Sequence, residues 1–125
     1  MQDKSNEIKE ILEPIISTIH SKSEAQSIIN KWINGRYGKI IGWKIRTQDH
    51  EENYHLIFDP DGVRLNVGEY PAFDIMMIGD PETILGILKG EKHIDAELKQ
   101  RRVMVWGNLN EGIIFQKILH KIRKM

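Results

Sequence analysis

The sequence has 125 residues, of which 40% are hydrophobic and none is cysteine. This length suits one domain with a real core, and the lack of cysteine excludes disulfides, thiolate zinc sites and cysteine nucleophiles. No apolar run approaches the roughly 18 residues of a membrane span, and the charged first residues do not resemble a signal peptide. These features predict a cytoplasmic protein.

The charges balance overall but are unevenly distributed, with 18 basic and 18 acidic residues. Residues 99–125 contain seven basic residues and one acid, Glu111, so residues 1–98 carry the excess of acids. A basic C-terminal segment can make peripheral contact with an anionic membrane. It can equally be a solvated helix end whose lysines favour the helix dipole. The sequence leaves both interpretations open.

The first predicted elements are two helices within residues 1–35. Apolar residues recur at helical spacing from Ile8 to Ile19, and a second apolar face extends from Ala25 to Ile33. Pro14 removes one backbone hydrogen bond inside the first stripe. We therefore expect a kink or a break in the first helix at this position.

The second helix has candidate start and stop signals in the sequence. Ser21 with Glu24, or Ser23 with Gln26, has the spacing of a capping box. Gly35 can close the helix in a left-handed conformation. These signals predict a short second helix directly after the first.

Five strands are predicted from alternation of apolar and polar residues. The first covers residues 39–47, and the second and third form a hairpin from 54 to 67, with a turn at the DPDG of 59–62. The apolar runs at 72–78 and 102–106 predict the fourth and fifth strands. The order of elements favours a meander followed by alternating helices and strands.

The stretch IGDPETILGILKG permits two interpretations, a phosphate-binding loop or a helix. A phosphate loop needs a lysine and a hydroxyl residue directly after its last glycine, whereas Glu91 follows Gly90 here. A helix explains the pattern, since Asp80 can cap it, Pro81 fits its first position and Gly90 its C-terminal position. Gly86 is not explained by the helix, because an interior glycine costs about 1 kcal/mol relative to alanine. It would allow a strand to approach closely or leave room for a ligand.

The last predicted helix begins at Asn108, with Glu111 at the N3 position of a capping box. Its apolar stripe consists of Ile114, Phe115, Ile118, Leu119 and Ile122. The elements together predict the α+β class: a five-stranded, mostly antiparallel sheet with helices packed on one face. We expect a single domain over residues 1–125, with the N-terminal helices in 1–35 and the sheet with two or three helices in 36–125.

The sequence predicts no catalytic residue, no metal site and no cofactor. The histidines lack the spacing of helical zinc ligands, and no nucleophile elbow is present. His55 lies on the polar phase of its strand and is expected to be exposed, and Asp74 is expected at a sheet edge or facing solvent. An enzyme that uses Asp74 or His55 is the least favoured hypothesis.

Nucleic acid is not an expected partner. Trp43, Trp106 and Tyr37 could stack on bases, but the strands carry no basic and aromatic surface pattern. We therefore expect no nucleic-acid binding.

The order of motifs between residues 70 and 122 resembles the sterol carrier protein type 2 lipid-binding domain. Such domains typically have a strand with an aspartate, a helix ending LLxG, an alanine, a strand ending GN or GD, and an amphipathic helix. The corresponding features here are Asp74, the ILKG of 87–90, Ala96 and Gly107–Asn108. The hairpin that precedes them also fits the family.

The resemblance implies an apolar tunnel between the sheet and the helices that holds a fatty acyl chain, an isoprenoid or a sterol-like lipid. It also implies lipid binding and transfer without catalysis. The residues expected to line the tunnel are Ile75, Met77, Ile84, Leu88, Val103, Val105, Phe115 and Leu119. Each buried methylene contributes about 0.8 kcal/mol, so affinity does not require a specific polar contact.

The chain departs from the family pattern near the expected tunnel mouth and on the fifth strand. Glu97 follows Ala96 where apolar residues are usual, and Arg101–Arg102 stands where glycine and lysine are usual. Met104 and Trp106 replace the family's lysines, so both faces of that strand are apolar. An apolar outer face predicts a cover, which could be a dimer partner, another domain or the N-terminal helices. The alternative function is therefore a homodimeric interaction module with a filled core, pairing through Met104 and Trp106.

Overall fold

The structure is a computed structural model that describes residues 5–34 and 38–125. Gly35 and Tyr37, the predicted helix end and stacking residue, lie outside these ranges. The elements are α1 (Ser5–Ser21), α2 (Ser23–Ile33), β1 (Lys39–Arg46), β2 (Glu51–Asp59), β3 (Gly62–Val67), β4 (Ile75–Gly79), α3 (Pro81–Lys89), α4 (Ile94–Lys99), β5 (Val103–Gly107) and α5 (Leu109–Arg123). No helix within these ranges has the length and apolar character needed to cross a bilayer.

The five strands form one sheet in the order β3-β2-β1-β4-β5. β1 and β4 are parallel, with Ile41 opposite Ile75, and the other neighbouring strands are antiparallel. The predicted α+β class, with a mostly antiparallel sheet and helices on one face, is confirmed. β4 begins later than the predicted residue 72, because the residues before it belong to the connection from β3.

The inner face of the sheet carries the core of the protein. Alternation along β1 places Ile41, Trp43 and Ile45 on this face, and all three are buried. The stripes of α1, α2, α3 and α5 pack against them in one apolar cluster. We call the side chains between the sheet and these helices the inner layer. Burial of this layer is the main source of stability of the fold.

A kink or a break was expected at Pro14; the first helix continues through this residue, so the break does not occur. Leu12 and Ile15, on either side of the proline, are both buried in the inner layer. Proline removes a single backbone hydrogen bond at this point, and burial of the neighbouring side chains offsets that loss. The helical stripe, rather than the proline, determines the length of α1.

The predicted capping box of α2 does not form. Lys22 is the N-cap residue and makes no side-chain capping hydrogen bond. The Gln26 side chain instead donates to the His20 carbonyl, at 3.0 Å. A single residue separates α1 from α2, so Gln26 lies beside the unpaired carbonyls at the end of α1.

The connection between β3 and β4 crosses the outer face of the sheet. Glu69 lies 3.0 Å from the Lys44 ammonium, and the Gly68 carbonyl lies 2.8 Å from Nδ1 of His55. The Tyr70 ring packs against the His55 ring, with centroids 5.3 Å apart. His55 is therefore buried, and the prediction that it is exposed was wrong. The crossing is required because β4 pairs with β1 rather than with β3.

Candidate functional site

The residues predicted to line a tunnel lie together in the inner layer. They come in pairs from four elements: Ile75 and Met77 from β4, Ile84 and Leu88 from α3, Val103 and Val105 from β5, and Phe115 and Leu119 from α5. All are buried except Val105, which is partly buried against the same cluster. Their role in binding a ligand stays a prediction.

The helix α3 has the ends that the sequence predicts. Asp80 is its N-cap and accepts a hydrogen bond from the Thr83 backbone at 2.8 Å, and Gly90 closes it with φ of 81°. A methyl group on Gly86 would lie 2.8 Å from Cδ of Lys92. The Lys92 stem therefore takes the space beside Gly86, and close approach of a strand, one of the two predicted explanations, is wrong. Room for a ligand at this position stays a prediction.

Four aromatic rings meet inside the layer. The Phe115 ring centroid lies 6.4 Å from Trp32, 6.2 Å from Trp43 and 6.0 Å from Phe58. The Trp32 and Phe58 centroids are 5.1 Å apart. We call these four residues the aromatic cluster; it joins α2, β1, β2 and α5. Trp43 is fully buried, so it does not offer the base-stacking surface considered from the sequence.

Two side-chain donors of the aromatic cluster lack an acceptor. Nε1 of Trp32 and Nε1 of Trp43 are both buried, and no atom in the described parts of the chain accepts a hydrogen bond from either. Buried tryptophan N–H groups usually have a partner. Neither tryptophan was predicted from the sequence to belong to the site. Trp43 could have been recognised from the sequence, because it lies on the buried side of β1. A tryptophan at such a position places an N–H donor inside an apolar layer.

Two of the residues that depart from the family pattern near the expected tunnel mouth, Glu97 and Arg102, form an ion pair. Glu97 of α4 is buried, and its two carboxylate oxygens accept from Arg102 at 2.9 and 3.1 Å. Hydrogen bonding from Arg102 lowers the pKa of the Glu97 carboxyl below its usual 4.5. The unusual glutamate and the unusual arginine therefore compensate each other and join α4 to the start of β5.

We expect Glu97→Gln to weaken the pH dependence of the free energy of unfolding in the acid range. Because the Glu97 pKa is lower in the folded state, its contribution is present above about pH 4.5 and is lost as pH falls through the folded pKa. Urea unfolding at a series of pH values measures this dependence. A variant with the same slope as the natural protein below pH 4.5 would contradict the assigned pairing.

A surface groove of about 670 Å³ lies between α4 and α5. It is lined by Gly90, His93, Asp95, Ala96, Ile113, Gln116, Lys117 and His120. The Gln116 amide links three segments, because it accepts from the Ile94 backbone at 2.7 Å and donates to the carbonyls of Ile87 and Lys92 at 3.1 and 3.0 Å. This network holds α5 against α3 and α4 beside the groove.

Asp74 makes structural hydrogen bonds at the start of β4. It is half-buried just before β4, and its carboxylate accepts from the Ile40 backbone at 2.7 Å. Its own carbonyl accepts from the backbone of Asn108 at 2.9 Å. Asp74 therefore ties the start of β1 to the junction between β5 and α5. Within residues 5–34 and 38–125, no group of three His, Asp or Glu side chains could hold a metal ion.

The start of α5 is fixed by a cap and an ion pair. Asn108 accepts from the Asn110 backbone at 3.0 Å, which confirms it as the N-cap. Glu111 forms a buried ion pair with Lys39 of β1, and the Lys39 ammonium lies 5.7 Å from the centroid of the Trp32 ring. Glu111 thus connects α5 to the sheet at the edge of the aromatic cluster.

The outer face of β5 retains an apolar patch. Met104 and Trp106 are each 49% exposed and lie opposite Ile78 and Met76 of β4. The N-terminal helices pack against the inner layer and do not cover this patch. The proposal that it forms an interface stays a prediction.

Comparison with known proteins identifies the fold. The sequence matches no family model, and a search of curated proteins finds no match. Sterol carrier protein 2 from Yarrowia lipolytica, in its apo form, is 16% identical, with a TM-score of 0.69 over 92% of this chain and 91% of that chain. The sterol carrier protein domain 2 of Helicoverpa armigera is 12% identical, with a TM-score of 0.70 over 100% and 94%. Palmitated SCP2L2 from Aedes aegypti is 17% identical, with a TM-score of 0.58 over 90% and 94%.

These likenesses extend over nearly the whole length of both chains in each comparison. The order of motifs after residue 70 indicates the same architecture from sequence alone. The chain therefore has the fold of the sterol carrier protein 2 domains.

Proposed function

We propose that the protein binds a fatty acyl, isoprenoid or sterol-like lipid in the inner layer, without catalysis, and transfers it between membranes. The observation that carries the proposal is the apolar cluster formed by side chains of β4, α3, β5 and α5. The likeness to sterol carrier protein domains supports it, and one of those structures is described as palmitated. The eight residues that the sequence predicts to line the site belong to these four elements.

The energetics of the layer favour an extended apolar ligand. A lipid that enters the layer removes its methylenes from water, and each contributes about 0.8 kcal/mol. This gain offsets the side-chain contacts that are lost where the sheet separates from α3 and α5. Met77 is unbranched and adapts its shape to a ligand more readily than a β-branched residue. Binding in this layer therefore requires the helices to move away from the sheet. It does not require an additional polar site.

Loading of the lipid involves α5 in this proposal. Lys117, Lys121 and Lys124 are exposed along or just after this helix, whereas Arg123 donates to the Leu88 carbonyl. Each basic residue close to an anionic bilayer contributes about 1 kcal/mol of attraction. We propose that these lysines bring the protein to an anionic membrane, so transfer should slow as the salt concentration rises.

Adjacent methionines on β4 provide a matched test of the binding site. Met77 faces the inner layer and Met76 the outer face, and both are buried. We expect Met77→Ala to weaken binding of a fluorescent fatty acid about four-fold, the value of one buried methylene contact, and Met76→Ala to leave it unchanged. Displacement titrations with fatty acids of several lengths measure the affinities of both variants. No displacement at any chain length, or equal effects of the two variants, would contradict the proposal.

The alternative function is a homodimeric interaction module with a filled core. The half-exposed Met104 and Trp106 on the edge strand β5 are the observation that favours it. Analytical ultracentrifugation separates the two functions. A monomer whose mass is unaffected by Trp106→Lys would contradict pairing through this patch.

A further inference from the structure

Trp43 occupies the centre of the inner face of the sheet. It lies opposite Tyr54 of β2 and Met77 of β4, and its side chain is fully buried. On the helix side its ring faces Phe115, with the two planes inclined at 52°. Met77 and Phe115 are two of the residues proposed to line the lipid site. A lipid chain between β4 and α5 would therefore pass beside Trp43.

The indole nitrogen of Trp43 is a donor without an acceptor in the described part of the protein. Few buried polar groups in folded proteins lack a partner, and leaving a donor unpaired destabilises the folded state. Phenylalanine would give a buried aromatic ring at this position without that cost. The tryptophan is therefore best explained by an acceptor that comes from outside the chain.

The surroundings of Trp43 restrict the chemistry of that acceptor. Its neighbours Ile41 and Ile45 on β1 are buried and apolar, as is Phe115 opposite. Lys39, on the same strand, is already paired with Glu111. A carboxylate beside Trp43 would lose its hydration with one N–H to offset the loss, whereas an uncharged oxygen loses much less.

We infer that the indole N–H of Trp43 donates to an uncharged oxygen of the bound lipid, such as an ester, a ketone or a hydroxyl group. This inference rests on the proposed function, because it assigns the polar contact of a ligand held in the inner layer. It makes the site selective for lipids that carry such an oxygen over hydrocarbons of the same length and over fatty acid anions.

Indole NMR signals of the natural protein provide the first test. The three tryptophans each give one indole N–H signal, assigned with the single Trp→Phe variants. Methyl palmitate and heptadecane have the same number of carbons, but only the ester carries an oxygen. We expect the Trp43 signal to move downfield with the ester and not with the alkane. The signal of Trp106, on the outer face, should stay in place with both.

Affinity measurements with Trp43→Phe provide the second test. We expect this variant to bind methyl palmitate about five-fold to ten-fold more weakly, as expected for one hydrogen bond, and to bind heptadecane as tightly as the natural protein does. Trp106→Phe, on the exposed patch, is the matched control and should change neither affinity. Both ligands are followed by displacement of the fluorescent fatty acid.

The outcomes separate this inference from the proposed function. Equal losses for the ester and the alkane would mean that Trp43 contributes only packing, which overturns the inference and leaves lipid binding intact. An ester that binds without moving the Trp43 signal would mean that this N–H does not donate to the lipid, which also overturns it. If the natural protein binds neither the fluorescent fatty acid nor either ligand, the proposed function fails and the inference fails with it.

Discussion

Replacing Phe115 by alanine is expected to lower the free energy of unfolding by about 3–5 kcal/mol. The Phe115 side chain is fully buried and contacts the rings of Trp32, Trp43 and Phe58. These rings belong to α2, β1 and β2, so they cannot collapse together into the space that the phenyl ring leaves. Urea unfolding followed by circular dichroism measures the loss.

Trp106→Ala is the control for this prediction, because it also truncates an aromatic residue. Trp106 is 49% exposed on the outer face, and its removal leaves no closed cavity. We expect a loss below about 1 kcal/mol. If both variants lose the same stability, the aromatic cluster is not the centre of the core.

Gly107→Ala is expected to lower the free energy of unfolding by about 3 kcal/mol, although it adds only one methyl group. Gly107 has φ of 99°, and an added Cβ would lie 2.5 Å from the Asp74 carbonyl oxygen and 3.1 Å from Cα of Ile75. These backbone atoms belong to the first residue of β4 and to the residue directly before it. The hydrogen bond from the Asn108 N–H to the Asp74 carbonyl holds them in place. The chain can accept the methyl only by moving β5 away from β4.

Gly68→Ala provides the matched control for the glycine prediction. Gly68 also has a positive φ, 115°, but an added Cβ would have no neighbour within 4 Å. Its substitution should lower the free energy of unfolding only by the cost of placing a residue with a Cβ at positive φ, about 1–2 kcal/mol. The difference between the two variants in urea unfolding isolates the contact with Asp74, and equal losses would contradict it.

Most features set by neighbouring residues in the chain were predicted well, and the capping box of α2 is the exception. The ends of α3 depend on Asp80, Pro81 and Gly90, whose effects act within one helical turn. The inner face of β1 follows from simple alternation. The hairpin between β2 and β3 follows from its turn residues. In each case the signal and the structure it produces are a few residues apart.

Features set by distant contacts were predicted poorly. The burial of His55 depends on the connection that crosses the outer face, and alternation along β2 contains no information on that crossing. The continuity of α1 through Pro14 depends on burial of its flanking residues against other elements. Gly86 accommodates Lys92, which the turn after α3 folds back over the helix.

In the candidate site too, features set by local sequence pattern were predicted and features set by distant contacts were not. Helical and strand periodicity, together with the motif order, placed the proposed lining residues in one layer. Periodicity cannot show that Trp43 lacks an acceptor, because that depends on every neighbour in three dimensions. It also cannot show that Glu97 and Arg102 compensate each other, because each residue alone departs from the expected pattern.

Photolabelling tests the central claim most directly, because it reports where a lipid lies. A fatty acid with a diazirine along its chain is bound, irradiated and located by mass spectrometry of peptides. We predict labels on inner-layer residues, among them Met77, Leu88 and Phe115, that an excess of unlabelled fatty acid removes. Labels confined to the outer patch of Met104 and Trp106, or labels that no competitor removes, would contradict lipid binding between the sheet and the helices.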